Sequence, residues 1–165
     1  MIQWAIMVSM ILLIANLVIC VRERRNGMAN YQKSKEEVRH FLDNVNALIL
    51  KGNRTQINCR PWKGNRVNKT LTYMAEAGIN QQDIEKVILE LQVTNYSYTA
   101  DDVNIHFPDE QFWIFGITRN MIDKDENLYI KLKIRQFGDE ILLIMSFHPE
   151  MPKDTEQKLI FPYKE

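Results

Sequence analysis

The order of elements along this 165-residue chain predicts an α+β fold: one transmembrane helix, then helices packed on a small antiparallel sheet. Three observations lead there. Residues 2–21 form an uncharged apolar run. Three segments between residues 35 and 91 repeat apolar side chains at helical spacing. The remainder changes to strand-length segments separated by polar turns. The chain therefore divides into a transmembrane segment at 2–21, a polar linker at 22–34 and a domain at 35–165. That domain, about 130 residues, can bury about two-thirds of its unfolded surface and needs no disulfide or metal to fold.

The first segment runs from Ile2 to Val21, with Gln3, Ser9 and Asn16 as its strongly polar residues. Twenty residues at 1.5 Å rise span about 30 Å, the thickness of a bilayer's hydrocarbon core. Trp4 falls at the interface, where aromatic rings are favoured. Arg22, Arg24 and Arg25 follow at once, so the positive-inside rule places the C-terminal domain in the cytoplasm of a single-pass membrane protein. A cleaved signal peptide would carry a basic leader and a small-residue cleavage site, and neither is present. A buried or partner-binding helix is the other reading, though such helices are seldom so uniformly apolar.

In the domain, Val38, Phe41, Leu42, Val45, Leu48 and Ile49 recur at spacings of three and four, one face of an amphipathic helix. Ser34 with Glu37 makes a capping box at its start, and Gly52 stops it. A second helix fits Asn68–Ala77, ended by Gly78. A third fits Gln81–Leu91, capped by Asn80 and buried through Ile84, Val87, Ile88 and Leu91. Thr55–Cys59 reads as a short strand. Phe112–Thr118 and Leu128–Arg135 are strands joined by a polar loop at Asn120–Asn127. Glu140–Phe147 is nearly all apolar, as a strand covered on both faces would be, and Lys158–Phe161 makes a last short strand.

Charge and cysteine content exclude several functions. Twenty-one basic and 21 acidic side chains balance, unlike a domain held to nucleic acid by bulk electrostatics. Cys20 and Cys59 lie in settings too different to imply a disulfide, and a reducing cytosol fits them. His40, His106 and His148 are scattered with no metal-ligand spacing, so no metal or other cofactor is expected. Asp101-Asp102 and Asp109-Glu110 flank His106, either as a cation site or as a solvated loop.

Two regions carry chemistry. Residues 51–69 hold Lys51, Arg54, Arg60, Lys63, Arg66 and Lys69 with no acid among them, and Trp62 within, a pattern that binds phosphates and stacks a base or simply forms a surface loop. Leu128–Arg135 alternates strictly. Tyr129, Lys131, Lys133 and Arg135 share the face opposite the core. Cations there suit an RNA phosphodiester, and a tyrosine hydroxyl can move a proton. An ordinary solvated strand face gives the same pattern. His148 ends the next strand, where it can act as a general acid or base or play a structural part.

The order of several pieces resembles the MqsR-like family of mRNA interferase toxins, which have a RelE-like fold. They are Glu37–Leu42 with Leu48–Gly52, Asn68–Leu71 with Ala77–Ile79, Asp83–Leu91, Asn95-Tyr96, Phe112–Gly116, Leu128–Ile134 and Ser146–His148, across about 35–149. The resemblance implies the toxin of a type II toxin–antitoxin pair: a metal-independent endoribonuclease that cuts mRNA and is neutralised by a cognate antitoxin protein. It places the family's strand tyrosine at Tyr129 and its basic residue after Ser-Phe at His148. Lys131, on the face of Tyr129, could hold phosphate. Some members have a lysine where Ser97 stands and a glutamine where Ile114 stands. The expected catalytic set is Tyr129, His148 and Lys131, with RNA held by Arg60, Lys63, Arg66, Lys69, Lys133 and Arg135 and the membrane met through residues 2–21. The alternative is a catalytically inactive, membrane-anchored protein-binding module of the same fold.

Overall fold

The computed structural model describes residues 30–59, 67–102, 104, 106, 107, 109–151, 159 and 160. Helix α1 (Lys35–Lys51) starts at the expected capping box: the Ser34 hydroxyl accepts from the Glu37 N–H at 3.3 Å, and the Glu37 carboxylate accepts from the Ser34 N–H at 2.9 Å. Donation to the carboxylate from the Ser34 N–H, the Ser34 hydroxyl and the Lys33 ammonium favours its ionised form and lowers its pKa to about 2. Gly52, at φ 65°, ends the helix where a side chain would be strained. Helix α2 (Lys69–Ala77) is capped by Asn68, which accepts from the Thr70 and Leu71 N–H groups, and ends at left-handed Gly78. Helix α3 (Gln81–Leu89) is capped by Asn80 in the same way.

The strands are β1 (Asn30–Tyr31), β2 (Thr55–Ile57), β3 (Tyr96–Asp101), β4 (Gln111–Asn120), β5 (Asp125–Phe137) and β6 (Asp139–Pro149). They form one six-stranded sheet in the order β1-β3-β4-β5-β6-β2. All neighbours are antiparallel except β2, which lies parallel to β6. The ends of β2 are tied in: Leu142 N–H donates to the Arg54 carbonyl at 2.8 Å and Asn58 N–H to the Ile144 carbonyl at 2.9 Å.

The fold expected from sequence is corrected here. The described residues form a mixed six-stranded sheet with three helices, not helices on a small antiparallel RelE-like sheet. The parallel β2–β6 pair makes it mixed. The expected transmembrane helix at 2–21 lies outside the described residues. Among those described, no helix is long and apolar enough to cross a membrane. Asn30 and Tyr31, within the stretch read as a linker, pair with β3. The strands β4 and β5 run to within a four-residue turn at 121–124, where a longer loop was expected. Leu159 and Ile160 form no strand.

The helices pack on one face of the sheet. Val38, Phe41, Leu42, Val45 and Leu48 of α1, Tyr73 of α2 and Ile84, Val87 and Ile88 of α3 meet Phe115, Leu128, Ile130, Leu132, Ile144 and Phe147. Burying the α1 stripe alone contributes on the order of 10 kcal/mol before chain entropy is subtracted. A second, smaller apolar cluster covers the other face: Tyr98, Ala100, Phe112, Ile114, Tyr129 and Leu159, with Met145 against it.

Candidate active site

Strand β5 delivers the alternation read from sequence. Leu128, Ile130 and Leu132 are fully buried on the helix side. Tyr129, Lys131, Lys133 and Arg135 take the second face.

Strand β6 needs an irregularity to match it. Lys131 pairs with Ser146 while Leu132 pairs with Ile144, so Met145 is an extra residue, a β-bulge. Without it, strict alternation from core-facing Ile144 would turn His148 into the helix-side core. With it, Phe147 enters that core and His148 turns to the second face. There His148 lies directly across from Tyr129, the two rings stacked with centroids 5.4 Å apart and planes 19° from parallel. His148 Nδ1 donates to the Pro149 carbonyl at 2.9 Å, because a carbonyl can only accept. In the neutral ring, Nε2 is then the basic nitrogen. Tyr129 and His148 are 3% and 2% exposed.

Lys131 is the third member. Its ammonium lies 3.8 Å from the Phe112 ring centroid, and among the described residues it has no ion pair. Burial disfavours the charged form, and neighbouring Lys133 adds repulsion, against the attraction of Asp102. The result is a lysine lowered from 10.5 to about 8. A cation, an imidazole and a phenol from two neighbouring strands thus share one face of the sheet, each able to bind or move a proton.

The rest of the expected binding set is placed differently. Lys133 is 1% exposed and ion-paired with both Asp102 and Glu110. Arg135 makes a fork with Glu110, Nε at 3.0 and 3.2 Å and Nη2 at 3.1 Å, and its guanidinium stacks 3.7 Å from the Phe107 centroid. Burial pushes the Glu110 carboxyl up, but Arg135 and Lys133 outweigh it and hold it below its ordinary value. The acidic pairs that sequence left open as a cation site or a loop thus hold a cation of the chain's own. Among the described residues no cluster has the make-up of a metal site. The signal for Lys133 was missed because its partners lie 31 and 23 residues away.

Lys69 opens α2, on the helix side of the sheet; the hydroxyl of the next residue, Thr70, accepts from Phe147 N–H at 3.0 Å. Arg60, Lys63 and Arg66 lie outside the described residues. Ile114 and Ser97 are placed differently relative to Tyr129. Ile114, 1% exposed, is in its cluster. Ser97 is the bulged residue of β3, skipped between the Tyr96–Phe115 and Tyr98–Ile114 pairs. A separate cleft of about 400 Å³, with Phe41 and Trp113 in its lining, lies by the starts of β4 and β6. No family model, curated protein or solved structure matches the chain.

Proposed function

We propose that the chain is a metal-independent endoribonuclease that cuts mRNA, acting as the toxin of a toxin–antitoxin pair. The observation that carries this reading is the stacked Tyr129–His148 pair across β5 and β6, with Lys131 two residues from Tyr129 on the same face of the sheet. The ordered sequence resemblance supports it. In this reading the RNA 2′-hydroxyl attacks the adjacent phosphorus as His148 Nε2 takes its proton. The Tyr129 hydroxyl gives a proton to the departing 5′ oxygen. The products are a 2′,3′-cyclic phosphate and a free 5′-hydroxyl. Lys131, protonated below about pH 8, offsets the charge that builds on the phosphorane. Because all three groups belong to the protein, the reaction needs no metal.

A second reading, a protein-binding module without catalysis, draws on two specific features. Tyr129 and His148 are almost wholly buried, and Lys133 and Arg135 are already matched by carboxylates. Purified protein incubated with an unstructured mRNA in excess EDTA separates the two. The endoribonuclease cuts at recurring short sequences, and Tyr129→Phe with His148→Ala lowers the rate by at least about 100-fold. An intact RNA after incubation with folded protein selects the binding module.

A further inference from the structure

The helix-side face of the sheet changes character along its strands. Through the core its positions are apolar: Phe115 and Ile117 on β4, Ile130 and Leu132 on β5, Leu142 and Ile144 on β6. Continued at the two-residue period to the end where β4 and β6 begin and β5 finishes, the same face presents Gln111 and Trp113, Ile134 and Gln136, and Glu140. Gln136 and Glu140 are exposed, so the helix layer leaves this end of the face uncovered. The five side chains line the cleft of about 400 Å³ together with Phe41 and Asn44, which share one side of α1.

The cleft has an apolar wall and an acidic rim. Phe41 stacks on Trp113 with centroids 4.3 Å apart and planes 8° from parallel, and Ile134 packs against the same core. Trp113 already faces a cation: the Lys33 ammonium lies 6.0 Å from its ring centroid and pairs with Glu37 at 3.1 Å. On the rim, Asp109 and Glu140 are exposed and have no ion pair among the described residues. Glu140 accepts from Gln136 Nε2, its partner in register, at 3.3 Å. Glu110, also in the lining, is matched by Lys133 and Arg135. No lysine or arginine is among the described lining residues. A phosphate would meet repulsion there, whereas a cation meets carboxylate and amide oxygens beside an aromatic ring. Arginine suits this set. Its guanidinium carries five donors and no acceptor, stacks on aromatic rings, and stands on a stem that packs on apolar surface. A small ligand's pocket encloses most of the ligand, but this exposed rim fits a side chain whose backbone stays outside.

We infer that the cleft docks a basic peptide segment of a partner protein, one arginine lying along Trp113 and Ile134 with its guanidinium toward the carboxylates of Asp109 and Glu140. The cleft is on the opposite side of the sheet from Tyr129 and His148, so its test does not depend on the ribonuclease reading.

Fluorescence anisotropy of a labelled tri-arginine peptide with the full chain provides that test. Asp109→Asn and Glu140→Gln each put a neutral side chain of the same shape at the rim, and neither residue belongs to the proposed catalytic set. The expected result is binding to wild type that weakens about tenfold in each variant. Asp43→Asn, which removes an exposed acid of α1 outside the cleft lining, leaves binding unchanged. A tri-citrulline peptide, alike in shape but uncharged, does not bind. Circular dichroism checks that each variant is folded. Absence of binding to wild type, equal weakening by Asp43→Asn, or binding of tri-citrulline overturns the site. Arginine amide that binds as tightly as tri-arginine overturns the peptide partner in favour of a small guanidine. A labelled oligouridine that binds wild type and loses binding in Asp109→Asn and Glu140→Gln overturns it in favour of RNA.

Discussion

Lys131 and Lys133 stand two residues apart on the same face of β5, and they have opposite fates. Lys133 is enclosed by two carboxylates, Asp102 and Glu110, with Arg135 completing the network. Lys131 is set against an aromatic ring, and its pKa falls to about 8. The first arrangement ties the segment around 102–110 to the sheet. The second keeps a group whose proton comes and goes near neutral pH, beside a histidine and a tyrosine. A charge enclosed by opposite charges keeps its ionised form; one that loses water without gaining an ion pair gives its proton up more readily.

The largest effect that tests this contrast is on the matched lysine. Lys133→Met leaves Asp102 and Glu110 as poorly solvated carboxylates without their shared cation, at a cost of about 3–5 kcal/mol. Urea unfolding monitored by circular dichroism measures it. A loss below about 1 kcal/mol would mean that the network is no strut.

A smaller effect comes from pH. Below pH 8 both folded and unfolded chains carry a protonated Lys131, and the folded state bears the full burial penalty. Between about pH 8 and 10 the folded lysine releases its proton while the unfolded one, near 10.5, keeps it. The unfolded state then binds more protons, so stability rises with pH, by about 2 kcal/mol from this group. Above pH 10 the trend reverses. The Tyr31 and Tyr73 hydroxyls are raised by burial and by donation to Asp101 and Glu126, so unfolded tyrosines ionise first. Urea midpoints from pH 7 to 10 should climb in wild type and lose this rise in Lys131→Met.

The helices were legible because their signals are local. Ser34 with Glu37, Asn68, Asn80, Gly52 and Gly78 all act within four residues of the turns they cap or stop. The alternation of β5 was equally plain. Hidden features depend on distant chain. The parallel docking of β2 on β6 joins segments over 80 residues apart, and two-residue β1 exists only beside β3. In β3 the bulge at Ser97 breaks the two-residue period that marks a strand. In β6 the run Ile141–Phe147 is so apolar that an inserted Met145 leaves no trace in the pattern, yet that residue decides which way His148 faces. Tyr129, Lys131 and His148 could thus be nominated from sequence, but not the stacking of two of them. The cations of β5 looked solvated because the carboxylates that enclose Lys133 lie in another part of the chain.

The most direct measurement pairs stability with cleavage in one variant, Lys131→Met. Removing a half-buried ammonium that has no ion pair among the described residues should raise unfolding stability at pH 7 by about 1–2 kcal/mol. The same change should reduce metal-free mRNA cleavage by at least about tenfold, since the cation facing the phosphorane is gone. A more stable, inactive protein is the result this account predicts. A Lys131→Met protein that cleaves RNA like wild type, or that unfolds more easily, would contradict it.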